Sequence, residues 1–187
     1  MIESLKWVAS ARGDKDSGMY ATVAWYPKTP DSAGRGLLDD GIAGYLVATD
    51  KHRMHVCAIG EGDVIRHGLD CAVSSAVDIV KTGTGYRAVP SPVPYMSPQW
   101  WKCLPEEAER IPAPDLMLDH PKDAGGIIPR FMFQCAVCFN YTFLAALAGE
   151  AWSVWMPVGG GITKGKAMVF IAQGARLVAA IMPLQIE

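Results

Sequence analysis

The chain has 187 residues, half of them hydrophobic and 19% charged, and its formal net charge is −2 at pH 7. This composition is typical of a folded globular protein and excludes a disordered chain. Because no global basic excess exists, contact with nucleic acid has to come from a local patch. Apolar runs stay short of the roughly 18–20 residues of a transmembrane helix, so no membrane partner is expected.

The N-terminal residues and the cysteines bear on the cellular compartment. Residues 1–16 have an acidic residue at position 3 and no apolar core of a signal peptide, so we expect a cytoplasmic protein. The five cysteines are odd in number, and without an export signal they are expected to be reduced thiols rather than a disulfide framework.

The first part of the chain predicts a helix followed by strands. Apolar residues at helical spacing predict a short amphipathic helix over residues 2–12. Segments rich in β-branched and aromatic residues predict three strands, at 19–27, 42–50 and 53–60. Apolar residues spaced by three and four then predict a second helix over 69–80. The glycine-rich residues 82–87 follow that helix, which favours a simple turn over a phosphate-binding loop.

A proline-rich segment follows these elements. Nine of the thirteen prolines lie between Pro90 and Pro129, so we expect little regular structure there beyond one or two turns. Its aromatic residues, Tyr95, Trp100 and Trp101, indicate that the segment packs on the rest of the protein. We therefore predict a single domain over residues 1–187, interrupted by a proline-rich insertion at about 66–128.

The last part of the chain repeats the element order of the first. We predict a strand at 130–139, and a helix at 141–148 that begins after Asn140 and ends at Gly149. Three further strands are predicted at 151–158, 166–172 and 176–186. The expected fold is α+β, with two helices packed on an antiparallel sheet and two helix-plus-strands halves.

Three segments resemble the bacterial DNA polymerase III beta sliding clamps. They are "VATDKHRMHVC" at 47–57, "CFNYTFLAALAG" at 138–149 and "RLVAAIMPLQIE" at 176–187, and they occur in the order found in that family. The resemblance covers about residues 1–60 and 130–187. It implies a DNA-clamp-like fold and a non-enzymatic scaffold or processivity factor for DNA replication or repair. A phage or mobile-element origin and a homo-oligomer are expected with it.

The resemblance also implies a peptide-binding pocket. Polar residues, Thr49 to Arg53, separate the predicted strands at 42–50 and 53–60, and we call them the polar block. In the family, the matching residues form a turn between two strands and one wall of a pocket, and the C-terminal strand forms the other wall. The pocket binds short linear peptides of polymerase and repair proteins. Lys51 stands where the family has glycine, and Gln185 where it has arginine. The residues implied for peptide binding are Thr49, His52, Arg53, Met54, Ile181, Met182, Pro183 and Leu184.

The resemblance also implies duplex DNA as a partner, because the helices of the family face the duplex. Lys6, Arg12 and Lys15 lie on or just after the first helix and are the candidate phosphate contacts. A solvated helix face is the alternative interpretation of these charges. Because the helix at 141–148 has no basic residue, we expect weak, non-specific binding. A clamp-fold module that binds a partner protein without encircling DNA is therefore a second hypothesis.

A third hypothesis, from another class, is a small metal- or thiol-dependent enzyme. Cys135 and Cys138 have the spacing of a metal or redox pair. No second paired motif exists, and strand residues three apart point to opposite faces of a sheet. Buried structural thiols are therefore favoured, and neither a metal nor a cofactor is expected.

The residues in and near the polar block also suggest a hypothetical catalytic group. His52 and His55 lie near Asp50, with Ser74 or Cys57 as the imagined nucleophile. Proximity in sequence does not establish such geometry. A surface or hydrogen-bonded histidine is favoured, and we predict that the protein is not an enzyme.

Overall fold

The computed structural model describes residues 4–29, 41–93, 100–104, 108–112, 141–147, 151–157, 168–172 and 176–182. Within these ranges the strands form one antiparallel sheet with the order β5-β4-β1-β2-β3-β9-β8-β7-β6. The strands are β1 Val23–Pro27, β2 Ile42–Thr49, β3 Arg53–Gly60, β4 Ser75–Thr82, β5 Gly85–Pro90, β6 Ala108–Pro112, β7 Trp152–Pro157, β8 Met168–Ala172 and β9 Leu177–Ile181.

In the described part of the chain, three α-helices pack on one face of this sheet. They are α1 Ser4–Ala9, α2 Glu61–His67 and α3 Tyr141–Ala145, and 3₁₀ helices occur at Lys15–Ala21 and Trp100–Cys103. Trp7 and Val64, from α1 and α2, are buried in one apolar cluster, against which Phe143 of α3 packs. The Trp7 indole N–H donates to the carbonyl of Ala146 at 2.8 Å, which ties α1 to the end of α3. We call this side of the sheet the helix face.

The opposite face of the sheet carries a second apolar cluster. Trp100, 1% exposed, packs edge-on against Tyr45 of β2 with ring centroids 5.0 Å apart. Trp101 makes the same kind of contact with Tyr26 at 6.1 Å. These contacts confirm that the proline-rich segment packs on the rest of the protein through Trp100 and Trp101, whereas Tyr95 lies outside the described residues.

The two halves of the chain meet between β3 and β9. These strands pair antiparallel, with Arg53 opposite Ile181 and Cys57 opposite Leu177. The predicted α+β class and the antiparallel sheet are therefore confirmed. The division of the chain into one domain with an insertion at about 66–128 stays a prediction, although β4 and β5 within that stretch belong to the continuous sheet.

Two sequence-based expectations were wrong. The helix predicted over 69–80 is absent: Ser75–Thr82 forms β4, which pairs with β1 on one side and β5 on the other. Alanine and β-branched valine fit either element, so the pairing in the sheet decides. The segment 90–129 also contains a strand, β6, which ends at Pro112 at the edge of the described sheet, where proline is tolerated.

Other boundaries agree more closely. The turn predicted in 82–87 joins β4 to β5, and β3 spans the predicted residues 53–60. Helix α2 was not predicted, and β1 starts later than expected because Lys15–Ala21 forms a 3₁₀ helix. The predicted strand at 130–139 lies outside the described residues, as do Asn140 and Gly149.

Candidate functional site

The polar block between β2 and β3 forms a turn held by its own side chains. One carboxylate oxygen of Asp50 accepts the backbone N–H groups of His52 and Arg53, at 3.0 and 2.9 Å. The hydroxyl of Thr49 accepts the backbone N–H of Lys51 at 3.1 Å and donates to the carbonyl of Arg53 at 2.7 Å. These side-chain bonds pair backbone N–H and C=O groups that have no partner strand at the turn. The need for such bonds explains why polar residues stand between two apolar strands.

Lys51 occupies a left-handed backbone conformation in this turn. Its φ is 79°, a value that favours glycine and costs a lysine on the order of 1 kcal/mol. Its exposed ammonium group lies 4.8 Å from the centroid of the Tyr20 ring, which belongs to the 3₁₀ helix after α1. The turn therefore accommodates a strained residue whose side chain reaches an aromatic ring.

Arg53 connects the turn to the helices. Its Nε donates to the second carboxylate oxygen of Asp50 at 3.0 Å, and its Nη2 donates to the carbonyl of Ser10, just after α1. The guanidinium carbon lies 4.7 Å from the centroid of the Phe143 ring on α3. All three contacts hold Arg53 on the helix face, so its side chain is engaged within the protein.

The turn also touches the end of the C-terminal strand. The backbone N–H of Met182 donates to the carbonyl of His52 at 2.7 Å, continuing the pairing of β3 with β9. The structure thus brings Thr49–Met54 and Ile181–Met182 together. Pro183 and Leu184 lie outside the described residues.

The candidate peptide-binding residues differ in accessibility. His52 is exposed, and Thr49 and Met182 are half-buried. Met54 is 7% exposed and belongs to the cluster opposite the helices, whereas Ile181 is fully buried in the helix-face cluster. Because neighbouring strand residues alternate between faces, Met54 and Ile181 cannot line the same surface of the sheet.

His55 is buried rather than exposed. Its ring stacks on Trp7 with centroids 4.0 Å apart, and its Nδ1–H donates to the Trp7 carbonyl at 2.9 Å. Its Nε2 is buried and has no hydrogen-bond partner among the residues that the structure describes. Burial lowers the pKa of His55 to about 4, and burial raises the pKa of the Cys57 thiol to about 12. Both groups are therefore neutral at pH 7 and do not form a thiolate–imidazolium pair.

The candidate DNA contacts lie along α1 and the segment after it. Lys6 is exposed on α1, and Lys15 is exposed at the start of the 3₁₀ helix. Arg12 is half-buried, and its Nε donates to the carbonyl of Ala9 at 3.1 Å. Helix α3 carries no basic residue. The DNA assignment stays a prediction.

Sequence reasoning missed the residues that support the turn from elsewhere in the chain. Tyr20, Ser10 and Phe143 contact Lys51 and Arg53, but no local motif indicates these long-range contacts. Among the described residues, no group of three or more histidine, cysteine or acidic side chains could hold a metal ion. Cys135 and Cys138 lie outside those residues. No helix in the described ranges has the length and hydropathy to cross a membrane.

Comparison with known proteins supports the fold rather than a close relationship. No family model matches the sequence, and no curated protein matches it significantly. Among solved structures, the DNA polymerase III subunit beta from Borrelia burgdorferi, in complex with a natural product, matches with a TM-score of 0.50 and 10% identity over 100% of this chain. The Pseudomonas aeruginosa subunit beta matches with a TM-score of 0.51 and 12% identity over 99% of this chain.

The chain covers 62% and 66% of those two proteins, so it spans less than two thirds of either. At such low identity the likeness establishes the fold alone. Together with the antiparallel sheet and its helix face, it confirms the resemblance at the level of architecture: the chain has a DNA-clamp-like α+β fold.

Proposed function

We propose that the protein is a non-enzymatic, sliding-clamp-like scaffold that acts in DNA replication or repair and binds short linear peptides. The observation that carries this proposal is the hydrogen bond from Met182 to His52, at 2.7 Å. It places the polar turn beside the end of the C-terminal strand, in a fold similar to that of the DNA polymerase III beta subunits.

The proposed groove combines polar anchors with an apolar floor. Thr49, His52 and Met182 are accessible at its surface, and Met54 contributes buried apolar surface beneath. A groove of this kind suits a short peptide with an apolar end and a hydrogen-bonding glutamine. The flexible side chains of the two methionines allow several partner sequences to be accommodated.

A titration with labelled peptides tests the groove. A peptide with glutamine, leucine and a terminal aromatic residue should bind with a micromolar dissociation constant, measured by fluorescence anisotropy. Met182→Ala should cost ~1–2 kcal/mol of affinity and leave unfolding nearly unchanged. Ile65→Ala is the matched control, because Ile65 is 86% exposed on α2. If the wild type binds no peptide and Met182→Ala lowers the free energy of unfolding, Met182 is an ordinary packing residue.

Duplex DNA is the second proposed partner, contacted through Lys6, Arg12 and Lys15. Phosphate contacts carry no sequence preference and weaken with salt, and each lost contact lowers the log–log salt slope by roughly one. Replacing Lys6 by glutamine should therefore reduce the slope equally on unrelated duplexes. Lys28→Gln is the control, since this exposed lysine directly follows β1 and does not belong to the helix. An unchanged slope for Lys6→Gln would remove the helix from the DNA interface.

A module that binds its partner without encircling DNA is the second candidate function. The absence of any basic residue from α3 favours it, because one of the helices expected to face DNA would then carry no positive charge. Strands β5 and β6 end the described sheet, and unpaired edges of this kind favour association of several copies. Light scattering separates the candidates: a persistent 20.2 kDa species would exclude the ring. A phage origin stays a prediction.

A further inference from the structure

The charges of the turn are not equally available to a partner. Both carboxylate oxygens of Asp50 are occupied, one by two backbone N–H groups and the other by Arg53. The guanidinium of Arg53 is in turn held by Asp50, by the Ser10 carbonyl and by the Phe143 ring. Asp50 and Arg53 thus neutralise each other, and the positive charge of Lys51 remains at the tip of the turn.

Lys51 is held at this tip at an energetic cost. A left-handed φ of 79° is strained for lysine, and glycine would adopt it freely. Within the described part of the chain, the ammonium group faces the Tyr20 ring rather than a carboxylate. A cation–π contact at an exposed site is weak and leaves the ammonium able to pair with an incoming anion.

The position of Lys51 relates this charge to the proposed groove. Its neighbour in sequence is His52, whose carbonyl is bound by Met182. The side chain of Arg53, in contrast, is committed to the helix face and is not free for a ligand. Of the two cations in the described turn, Arg53 is held by three contacts, so Lys51, next to His52 in sequence, is the one left to meet an incoming peptide.

We propose that Lys51 is a specificity-determining residue that selects partner peptides carrying an aspartate or glutamate. The carboxylate pairs with the Lys51 ammonium at the rim of the groove, while the apolar residues of the peptide occupy the surface near Met182. Arg53 acts as a positioning residue for the turn rather than as a peptide contact. This inference rests on the peptide-binding function proposed above.

Paired peptides test the selection. Aspartate or asparagine is placed at each position preceding the glutamine in turn, and affinities are measured at low and high salt. At one position at least, the aspartate peptide should bind roughly two- to five-fold more tightly than its asparagine partner, the range of an exposed ion pair. The preference should shrink at high salt because such pairs are screened.

Variants locate the preference at Lys51. Lys51→Gln should bind both members of a pair equally, and Lys51→Glu should prefer a peptide with lysine at the same position. Lys28→Gln should keep the wild-type preference. Equal binding of both members by the wild type would overturn the inference and leave the peptide groove intact, whereas no binding of any peptide would overturn the proposed function itself. If Lys51→Gln weakens only duplex DNA binding, the lysine is a phosphate contact and the inference is wrong.

Discussion

Replacing Arg53 by methionine should lower the free energy of unfolding by about 2–4 kcal/mol. The side chain is only 16% exposed, so solvent screens its contacts little. Its bonds to Asp50 and to the Ser10 carbonyl are charge-assisted and contribute about 1.5–3 kcal/mol, and the Phe143 contact adds about 0.5–1 kcal/mol. Methionine keeps the apolar stem, and Asp50 keeps its two backbone bonds, which limits the loss.

Urea unfolding followed by tryptophan fluorescence measures this change. Arg66→Met is the matched control, because Arg66 is exposed on α2 and should alter stability by less than about 0.5 kcal/mol. Arg53→Lys should recover only part of the loss, since an ammonium group cannot reproduce the planar fork of the guanidinium. Equal stabilities of Arg53→Met and Arg66→Met would refute the role of Arg53 in tying the turn to α1 and α3.

Two further predictions concern the core. Burial lowers the pKa of His55 from 6.5 to about 4, so below pH 6.5 the unfolded chain binds a proton that the folded protein does not. Stability is therefore complete above about pH 6.5 and falls by about 3 kcal/mol toward pH 4, and urea midpoints of His55→Phe should depend less on pH in this window. A pH dependence unchanged by this substitution would exclude His55 as its source. Gly44→Ala should destabilise the protein by about 3 kcal/mol in thermal unfolding, because an added Cβ overlaps the Tyr26 carbonyl and the Trp25 ring. Gly62→Ala, which meets nothing within 4 Å in α2, should instead stabilise it slightly, and a similar loss in both variants would contradict the clash.

Local patterns were sufficient to predict the central strands and the turn between them. β3 begins at Arg53 and ends at Gly60, as predicted, because alternating apolar residues are bounded by polar residues on one side and a glycine on the other. The same reasoning failed for Ser75–Thr82, where apolar residues spaced by three and four fit a helix but pair in the sheet. Secondary structure of this kind depends on neighbours that are distant in sequence.

The position of the candidate site was predicted from the sequence, but the arrangement of its side chains was not. The polar block and the C-terminal strand were expected to be adjacent, and the Met182–His52 hydrogen bond joins them. The roles of individual side chains could not be predicted, because they depend on which face each residue occupies. Arg53, which the resemblance implies for peptide binding, also bonds the Ser10 carbonyl, 43 residues earlier in the chain. No periodicity in the sequence indicates such a contact.

An NMR titration of the isotopically labelled protein tests the central claim most directly. The peptide with glutamine, leucine and a terminal aromatic residue is added while backbone amide resonances are followed. We expect saturable shifts at His52 and Met182, whose backbones are hydrogen-bonded to each other, with the exposed Ile65 of α2 unaffected. If the amides of His52 and Met182 do not shift at saturating peptide, the turn and the C-terminal strand do not form a peptide-binding groove.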